Sequence, residues 1–306
     1  MAAEPIRVRD LRKRYSTGVE ALRGLDLSVQ TGQLYGVVGP DGAGKTTLLK
    51  VLAGVLSFQA EEAQVLGRPV PDGLAQVRHH IGYLPQRFSL YGDLTVEENL
   101  GFYAALYPPG PEGGRTRQEL LEMIGLARFR DRLAAKLSGG MKQKLSLLCN
   151  LVHRPRLLLM DEPTVGVDPV SRREFWTLVF ELQREGLTVL ASTPYMDEAE
   201  QFDRVALLSE GCLLREGTPA ELRASVPGVV LELVCPQPFQ AARCLEGAPG
   251  IQDVQLFGDR LHLFTAQDAP ALRQALEQRL GQAGLQIQRL RVVPFSIEDV
   301  FLRLTI

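Results

Sequence analysis

Gly39-Pro40-Asp41-Gly42-Ala43-Gly44-Lys45-Thr46 is a complete G-x-x-x-x-G-K-[ST] pattern, and it constrains the fold more than any other stretch of the chain. Three glycines within six residues let successive backbone N–H groups wrap an anion, and a helix opening directly behind them adds partial positive charge. The pattern is informative only between a strand and a helix. Both are predicted here: Leu34–Gly39 reads as a buried strand, and Thr46–Leu56 has apolar residues at helical spacing with Gly54 near its end. That context separates the loop from a glycine-rich turn that matches by chance. In such a loop Gly39, Pro40, Asp41, Gly42, Ala43, Gly44 and Thr47 line nucleotide phosphates. Lys45 then reaches the β- and γ-phosphates, and the Thr46 hydroxyl ligates Mg²⁺.

A second constellation supplies acids. Leu157-Leu158-Leu159-Met160 is an interior strand that runs into Asp161-Glu162-Pro163. Ligands of open α/β sheets sit at the carboxyl ends of strands, so two adjacent carboxylates there are placed for chemistry. Alone, such a run is more often a strand followed by a turn. Beside a phosphate loop it becomes a nucleotide hydrolysis site, with Asp161 on Mg²⁺ and Glu162 as the base that positions attacking water.

Around these motifs, from Ile6 to about Arg223, short apolar strands alternate with helices. Arg156–Asp161, Thr188–Ser192 and Arg204–Leu208 read as strands and Phe175–Arg184 as a helix, which predicts an α/β fold with a largely parallel sheet. Residues 87–152 lack strand runs and read as an inserted helical subdomain. The composition shifts at Ser225-Val226-Pro227-Gly228. Beyond it the pattern predicts strand Val229–Val234, helix Phe239–Glu246, strands Ile251–Phe257 and Arg260–Phe264 about a Gly258-Asp259 turn, helix Ala269–Ala283 and strand Leu285–Val293. This βαββαβ order is ferredoxin-like. A terminal helix follows, with Ser296 as N-cap and Asp299 three residues later. The expected domains are 1–224 and 228–306.

Composition narrows the function classes. The 306 residues carry 34 Lys+Arg against 36 Asp+Glu, a formal charge of −2, without the basic excess of a nucleic-acid binder. No apolar run approaches the ~18 residues of a membrane-spanning helix, and Met1–Asp10 has no apolar leader region, so a soluble, non-secreted chain is expected. Cys149, Cys212, Cys235 and Cys244 lack metal or disulfide spacing and read as reduced thiols.

Leu137-Ser138-Gly139-Gly140-Met141-Lys142-Gln143 precedes a helix shortly before the carboxylate strand. Alone it is a turn and an N-cap. In this order it resembles the signature motif of ABC-transporter ATPases. The resemblance extends to Gln86 in Gly82-Tyr83-Leu84-Pro85-Gln86, like the Q-loop glutamine, to Gly166-Val167-Asp168-Pro169, like the D-loop, and to Tyr15, placed like the adenine-stacking aromatic. Met141 stands where the family most often has glutamine. The resemblance implies a P-loop NTPase fold with a helical subdomain, and a Mg²⁺-dependent ATPase working as a head-to-tail dimer. Each ATP would lie between Gly39–Thr46 of one subunit and Ser138–Gly140 of the other, with Asp168 nearby. Gln86 would report γ-phosphate or Mg²⁺ to the helical insert. One family feature is missing: the strand Thr188–Ser192 should lead to a switch histidine, and Pro194 occupies that place. His79, His80, His153 and His262 lie elsewhere, with His79 and His80 expected to be solvated.

The loop, the run Phe88-Ser89-Leu90-Tyr91-Gly92-Asp93-Leu94-Thr95 and the ending Phe295-Ser296-Ile297-Glu298-Asp299-Val300-Phe301 resemble drug-exporter ATPases that pair with ABC-2-type permeases. That implies an integral membrane permease and a second ATPase subunit, identical or related, as partners, with no nucleic acid. It also implies a cytoplasmic chain held at the membrane's inner face through its permease, which carries a drug-like or lipid-like substrate. Phe88, Leu90 and Tyr91 read either as subdomain core or as a docking groove for a permease helix. A soluble repair or translation ATPase is the alternative, disfavoured by the lack of a heptad run and by the single phosphate loop. A nucleotide-binding regulator with weak hydrolysis is kept open by Pro194.

Overall fold

The structure is a computed structural model that describes residues 4–87, 90–107, 116–266 and 269–305. Phe88 and Ser89, singled out above, lie outside the described residues. The chain divides into two compact units, Met1–Pro219 and Ala220–Ile306.

The first unit holds two sheets. Strands β1 (Ile6–Arg14), β2 (Glu20–Val29), β4 (Glu62–Val65) and β5 (Arg68–Pro69) form an antiparallel sheet in the order β2-β1-β4-β5. The second sheet contains β3 (Leu34–Val38), β6 (Ile81–Leu84), β7 (Leu157–Asp161), β8 (Thr188–Thr193), β9 (Arg204–Ser209) and β10 (Cys212–Gly217), in the order β10-β9-β3-β8-β7-β6. Its pairings are parallel except between β9 and β10. Every residue of β3, β7 and β8 is buried, as a parallel strand covered on both faces requires.

The antiparallel sheet corrects the expectation of a largely parallel sheet from Ile6 onward. Its strands alternate, with Ile6, Val8, Leu22, Leu25, Leu27 and Val29 buried among polar neighbours, the pattern of a strand covered on one face only. The register slips between Val8 and Leu11, where Asp10 has φ 45°.

Helix α1 (Lys45–Leu52) packs Leu48, Leu49 and Leu52 into the core that also holds Leu157, Leu159 and Leu190. It ends at Leu52 with Ala53 as its C-cap, short of the expected Leu56, because Gly54 turns the chain at φ +72°. Between β6 and β7 the described chain carries α2 (Val96–Leu106), α3 (Arg117–Met123) and α4 (Gly139–Leu151). Thr95 and Thr116 each close a capping box with a glutamate three residues on. Helix α5 (Pro169–Arg184) starts six residues before the expected Phe175, since Asp168 caps it and Pro169 suits its first turn. Two short helices, α6 (Met196–Ala199) and α7 (Pro219–Ala224), follow β8 and β10. Among the described residues no helix is long and apolar enough to cross a membrane.

The second unit is a four-stranded antiparallel sheet, β12 (Asp253–Phe257), β13 (Arg260–Thr265), β11 (Val229–Val234) and β14 (Arg289–Val293), in that order. With α8 (Pro238–Leu245) and α9 (Ala269–Gln282) it makes the ferredoxin-like arrangement. Leu231, Leu233, Leu261, Leu263 and Leu290 share a core with Ala241, Leu245, Leu272, Leu276 and Leu280 of those helices. Strand β14 starts at Arg289, four residues after the expected Leu285, and Gly258 takes φ +60° in the hairpin turn. On the opposite face, His262 Nδ1 lies 2.7 Å from Asp299 of α10 (Ile297–Thr305). Ser296 and Asp299 cap that helix reciprocally, at 2.7 and 3.1 Å.

Candidate active site

Because β3, β6, β7 and β8 run parallel, their carboxyl ends meet along one edge of the sheet. The loop Gly39–Gly44, Gln86, Asp161 with Glu162, and Thr193 each follow or end one of those strands. This edge is where an open α/β sheet binds ligands.

Glycine is required in the loop for steric reasons. A Cβ on Gly39 would stand 2.1 Å from the Leu208 carbonyl oxygen, and one on Gly44 2.5 Å from that of Ala21, where φ is also +105°. Gly42, at φ +81°, faces open space. Pro40 and Asp41 are exposed, and Ala43 is buried. The Ala43 carbonyl accepts from the Gly211 N–H at 3.1 Å, which fixes the loop against the β9–β10 turn.

Lys45 is 3% exposed. Its Nζ donates to the carbonyls of Gly39 (2.8 Å) and Pro40 (3.0 Å) and lies 3.0 Å from Glu162 Oε1. Gln86 Nε2 donates to the other Glu162 oxygen at 2.7 Å. Lys45, Glu162 and Gln86 thus form one line across three strand ends. Glu162 takes φ +47°, and its N–H donates to Ser192 Oγ at 3.0 Å.

Asp161 accepts from Thr46 Oγ1 and from Ser192 Oγ, each at 2.9 Å. Burial raises its pKa above the ordinary carboxylate value; the two hydroxyl hydrogen bonds oppose this and the Glu162 charge adds to it. Burial, with the Asp161 charge, also pushes the Tyr83 phenol up to about 12, and that hydroxyl is buried without a hydrogen-bond partner among the described residues. A hydroxyl and a carboxylate side by side are hard oxygen donors, and Mg²⁺ is commonly held by one or two carboxylates plus substrate phosphates. The residues present fit that ion. Among the described residues no group of three His, Cys, Asp or Glu could hold a metal instead.

Tyr15 follows β1 and reaches the first turn of α1, its hydroxyl 3.1 Å from Thr47 Oγ1. The signature residues sit elsewhere. Ser138 is exposed and caps α4, its Oγ accepting from the Met141 N–H at 3.3 Å. Gly139 is exposed, and Gly140 is buried so tightly that a Cβ would meet that of Ser171 at 2.4 Å. Asp168 is exposed and caps α5 through the N–H groups of Val170 (3.1 Å) and Ser171 (2.9 Å), which hold its carboxyl below the usual range. His79 is exposed, and Pro194 directly follows β8.

Two groups escaped sequence reading. Ser192 joins Asp161 to the Glu162 backbone; its only signal was a hydroxyl near the end of an apolar strand. Glu198 is 2% exposed and accepts from Thr164 and Thr193, but in sequence it is one of several acids in Asp197-Glu198-Ala199-Glu200. A separate cavity of about 380 Å³, lined in part by Leu151, Pro155, Leu182 and Leu187, holds none of the motif residues.

Comparisons with known proteins show what the chain is similar to in sequence and fold. Residues 22–165 match the family model described as ABC transporter, and residues 217–305 match that of the ATP-binding protein DrrA1-3-like C-terminal domain. The probable multidrug ABC transporter ATP-binding protein YbhF of Escherichia coli is 43% identical over 270 residues, which is 86% of this chain. The match spans about half, 46%, of that protein's length. The Nod factor export ATP-binding protein I of Burkholderia orbicola is 37% identical over 309 residues, covering 100% of this chain and 98% of its own. Among solved structures, cbiO1 of Clostridium perfringens, part of the ABC transporter complex cbiONQ, superposes with a TM-score of 0.63 at 27% identity, over 72% of this chain and 91% of that one.

Proposed function

This chain belongs to the ABC transporter family of ATP-binding proteins, and on that premise we propose that it is the ATP-hydrolysing subunit of an exporter. The observation that carries the reading is the Lys45–Glu162–Gln86 line beside the Thr46–Asp161 pair, all at one sheet edge.

In the proposed mechanism the Gly39–Gly44 backbone cradles the phosphates, and Tyr15 stacks on the adenine. Lys45 exchanges Glu162 for the phosphate charge, which releases the Glu162 carboxylate to orient water and accept its proton. Thr46 and Asp161 would hold Mg²⁺, with Gln86 beside them. Bound there, the ion would supply positive charge against the charge that develops on the phosphate oxygens. Ser138, Gly139 and Gly140 of a second subunit, identical or related, complete the cage, with Asp168 at that boundary.

The partner proposed is a membrane permease of the ABC-2 type, with this chain on the inner face of the membrane and a drug-like or lipid-like cargo. Tyr91 and Phe102 support this: both are exposed, their rings stand edge to face at 4.9 Å, and both belong to the segment between Gln86 and the signature residues. They suit a helix laid into a groove.

The test is hydrolysis and nucleotide binding by the full chain. Wild type should hydrolyse ATP only with Mg²⁺. Lys45→Ala should weaken ATP binding by about 10–100-fold, the value of a hydrogen bond to a charged group. Unchanged affinity in Lys45→Ala would remove the loop assignment. Co-purification with a multi-spanning membrane protein checks the permease.

A further inference from the structure

Glu198, on the short helix α6, is a buried carboxylate, and burying one is costly unless it is partnered. Its partners come from three elements. Thr164 Oγ1, in the turn after β7, donates at 2.6 Å, and Thr193 Oγ1, at the end of β8, donates at 2.5 Å. Arg172 of α5 brings its Nε to 3.8 Å. The same guanidinium reaches Asp197 at 3.1 Å and lies 4.6 Å from the Tyr195 ring centroid, while the Tyr195 N–H donates to Thr193 Oγ1 at 3.0 Å. Pro194 sits inside this knot.

Thr164 stands two residues after Glu162, whose φ of +47° is uncommon for a residue with a side chain. Such a conformation persists where its surroundings over-determine it. Here the turn is held at both ends. Ser192 takes the Glu162 N–H, and Glu198 takes the Thr164 hydroxyl.

We propose that Glu198 is a positioning residue for hydrolysis. Its carboxylate ties the turn that carries Glu162 to β8 and α5, so that the Glu162 carboxylate keeps the orientation the reaction needs. This rests on the ATPase reading above. The hydrogen bonds and ion pair of the Glu198 carboxylate go to Thr164, Thr193 and Arg172 and to neither the phosphate loop nor the Thr46–Asp161 pair, so its loss should alter turnover and leave binding alone.

The experiment compares wild type, Glu198→Ala, Glu198→Gln and Thr164→Val as full chains, by steady-state MgATP hydrolysis and by titration with a fluorescent ATP analogue. Misplacing a catalytic group by about 1 Å costs on the order of 100-fold, so Glu198→Ala should lose about 10–100-fold in kcat. KM and analogue affinity should stay within about twofold, the mark of an interaction that matters only in the transition state. Glu198→Gln keeps one carbonyl acceptor and should fall between. Thr164→Val, nearly isosteric, should lower kcat in the same way, and it tests the tie even if Glu198→Ala does not fold. Wild-type kcat in a folded Glu198→Ala or in Thr164→Val overturns the proposal, as does an affinity loss that tracks kcat. Absence of any wild-type hydrolysis overturns the ATPase reading with it, whereas active wild type with equally active variants overturns this proposal alone.

Discussion

The phosphate loop and the Ser138–Gly140 segment differ in how much of their bonding capacity is used inside the chain. Lys45 is buried and meets two carbonyls and a carboxylate; Glu162 meets Lys45 and Gln86. Ser138 and Gly139 are exposed, and the serine hydroxyl makes one long contact to its own helix. Gly140, by contrast, is pinned against Ser171, so the segment is anchored at one end and open at the other. A group that handles phosphate charge works best where water is excluded and local dielectric is low. An exposed serine and glycine at a helix start leave room for a group from a second subunit, as the proposed composite site needs. The difference supports a site completed across two subunits, and it can be broken at either half.

The largest effect is expected in the enclosed half. Glu162→Gln keeps the shape and the contact to Gln86 but removes the base. Positioned general bases contribute typically ~10²–10⁴ in rate, so kcat should fall by about that factor. ATP binding should survive, since Lys45 and the loop backbone remain. Hydrolysis at the wild-type rate would mean that another group activates water. Loss of nucleotide binding instead would mean that the Lys45–Glu162 pair holds the loop together.

How far the sequence reveals this site follows the same division. The enclosed half was readable because its chemistry is local: a glycine spacing between a strand and a helix, and two acids closing an apolar strand. Lys45, Thr46, Asp161 and Glu162 meet because the parallel register brings those strand ends together. The cross-links were not readable. The Ser192 contacts to Asp161 and Glu162 and the Glu198 contact to Thr164 join residues 30 or more positions apart, and the spacing of a single chain carries no trace of them. The antiparallel sheet was missed for a different reason. Its alternation is interrupted at Asp10, where the register slips, so the period breaks within β1. In the second unit, alternating strands and the Gly258-Asp259 turn made the ferredoxin-like order legible, while strand starts such as Arg289 moved by a few residues.

Ser138→Arg attacks the open half and should be the next largest effect. The position is exposed, so the longer side chain has room in a single subunit and ATP binding should be unchanged. In a composite site it protrudes into the partner's phosphates. Turnover should drop by about 100-fold or more, the scale set by a 1 Å misplacement. Full ATPase activity in this variant would leave each subunit with a complete site of its own and dissolve the comparison.

Ser138→Ala is the mildest change and separates two roles that Arg disturbs together. As an N-cap, the hydroxyl accepts from Met141 at 3.3 Å in an exposed position, so its loss should sit at the lower end of capping effects, about 0.5–1 kcal/mol. In a unit of this size that is about 1–4 °C in Tm. As a donor to a partner's phosphate, the same hydroxyl adds one hydrogen bond worth about 0.5–1.5 kcal/mol, or about 2–10-fold in turnover. Thermal melting and steady-state kinetics on one sample read the two separately. A fall in both is expected. If Tm falls while turnover is unchanged, the hydroxyl serves α4 alone, and the backbone of Gly139 and Gly140 must carry recognition across the interface. If turnover falls and Tm does not, the 3.3 Å contact contributes nothing to the helix, and the serine is free to turn wholly toward its partner.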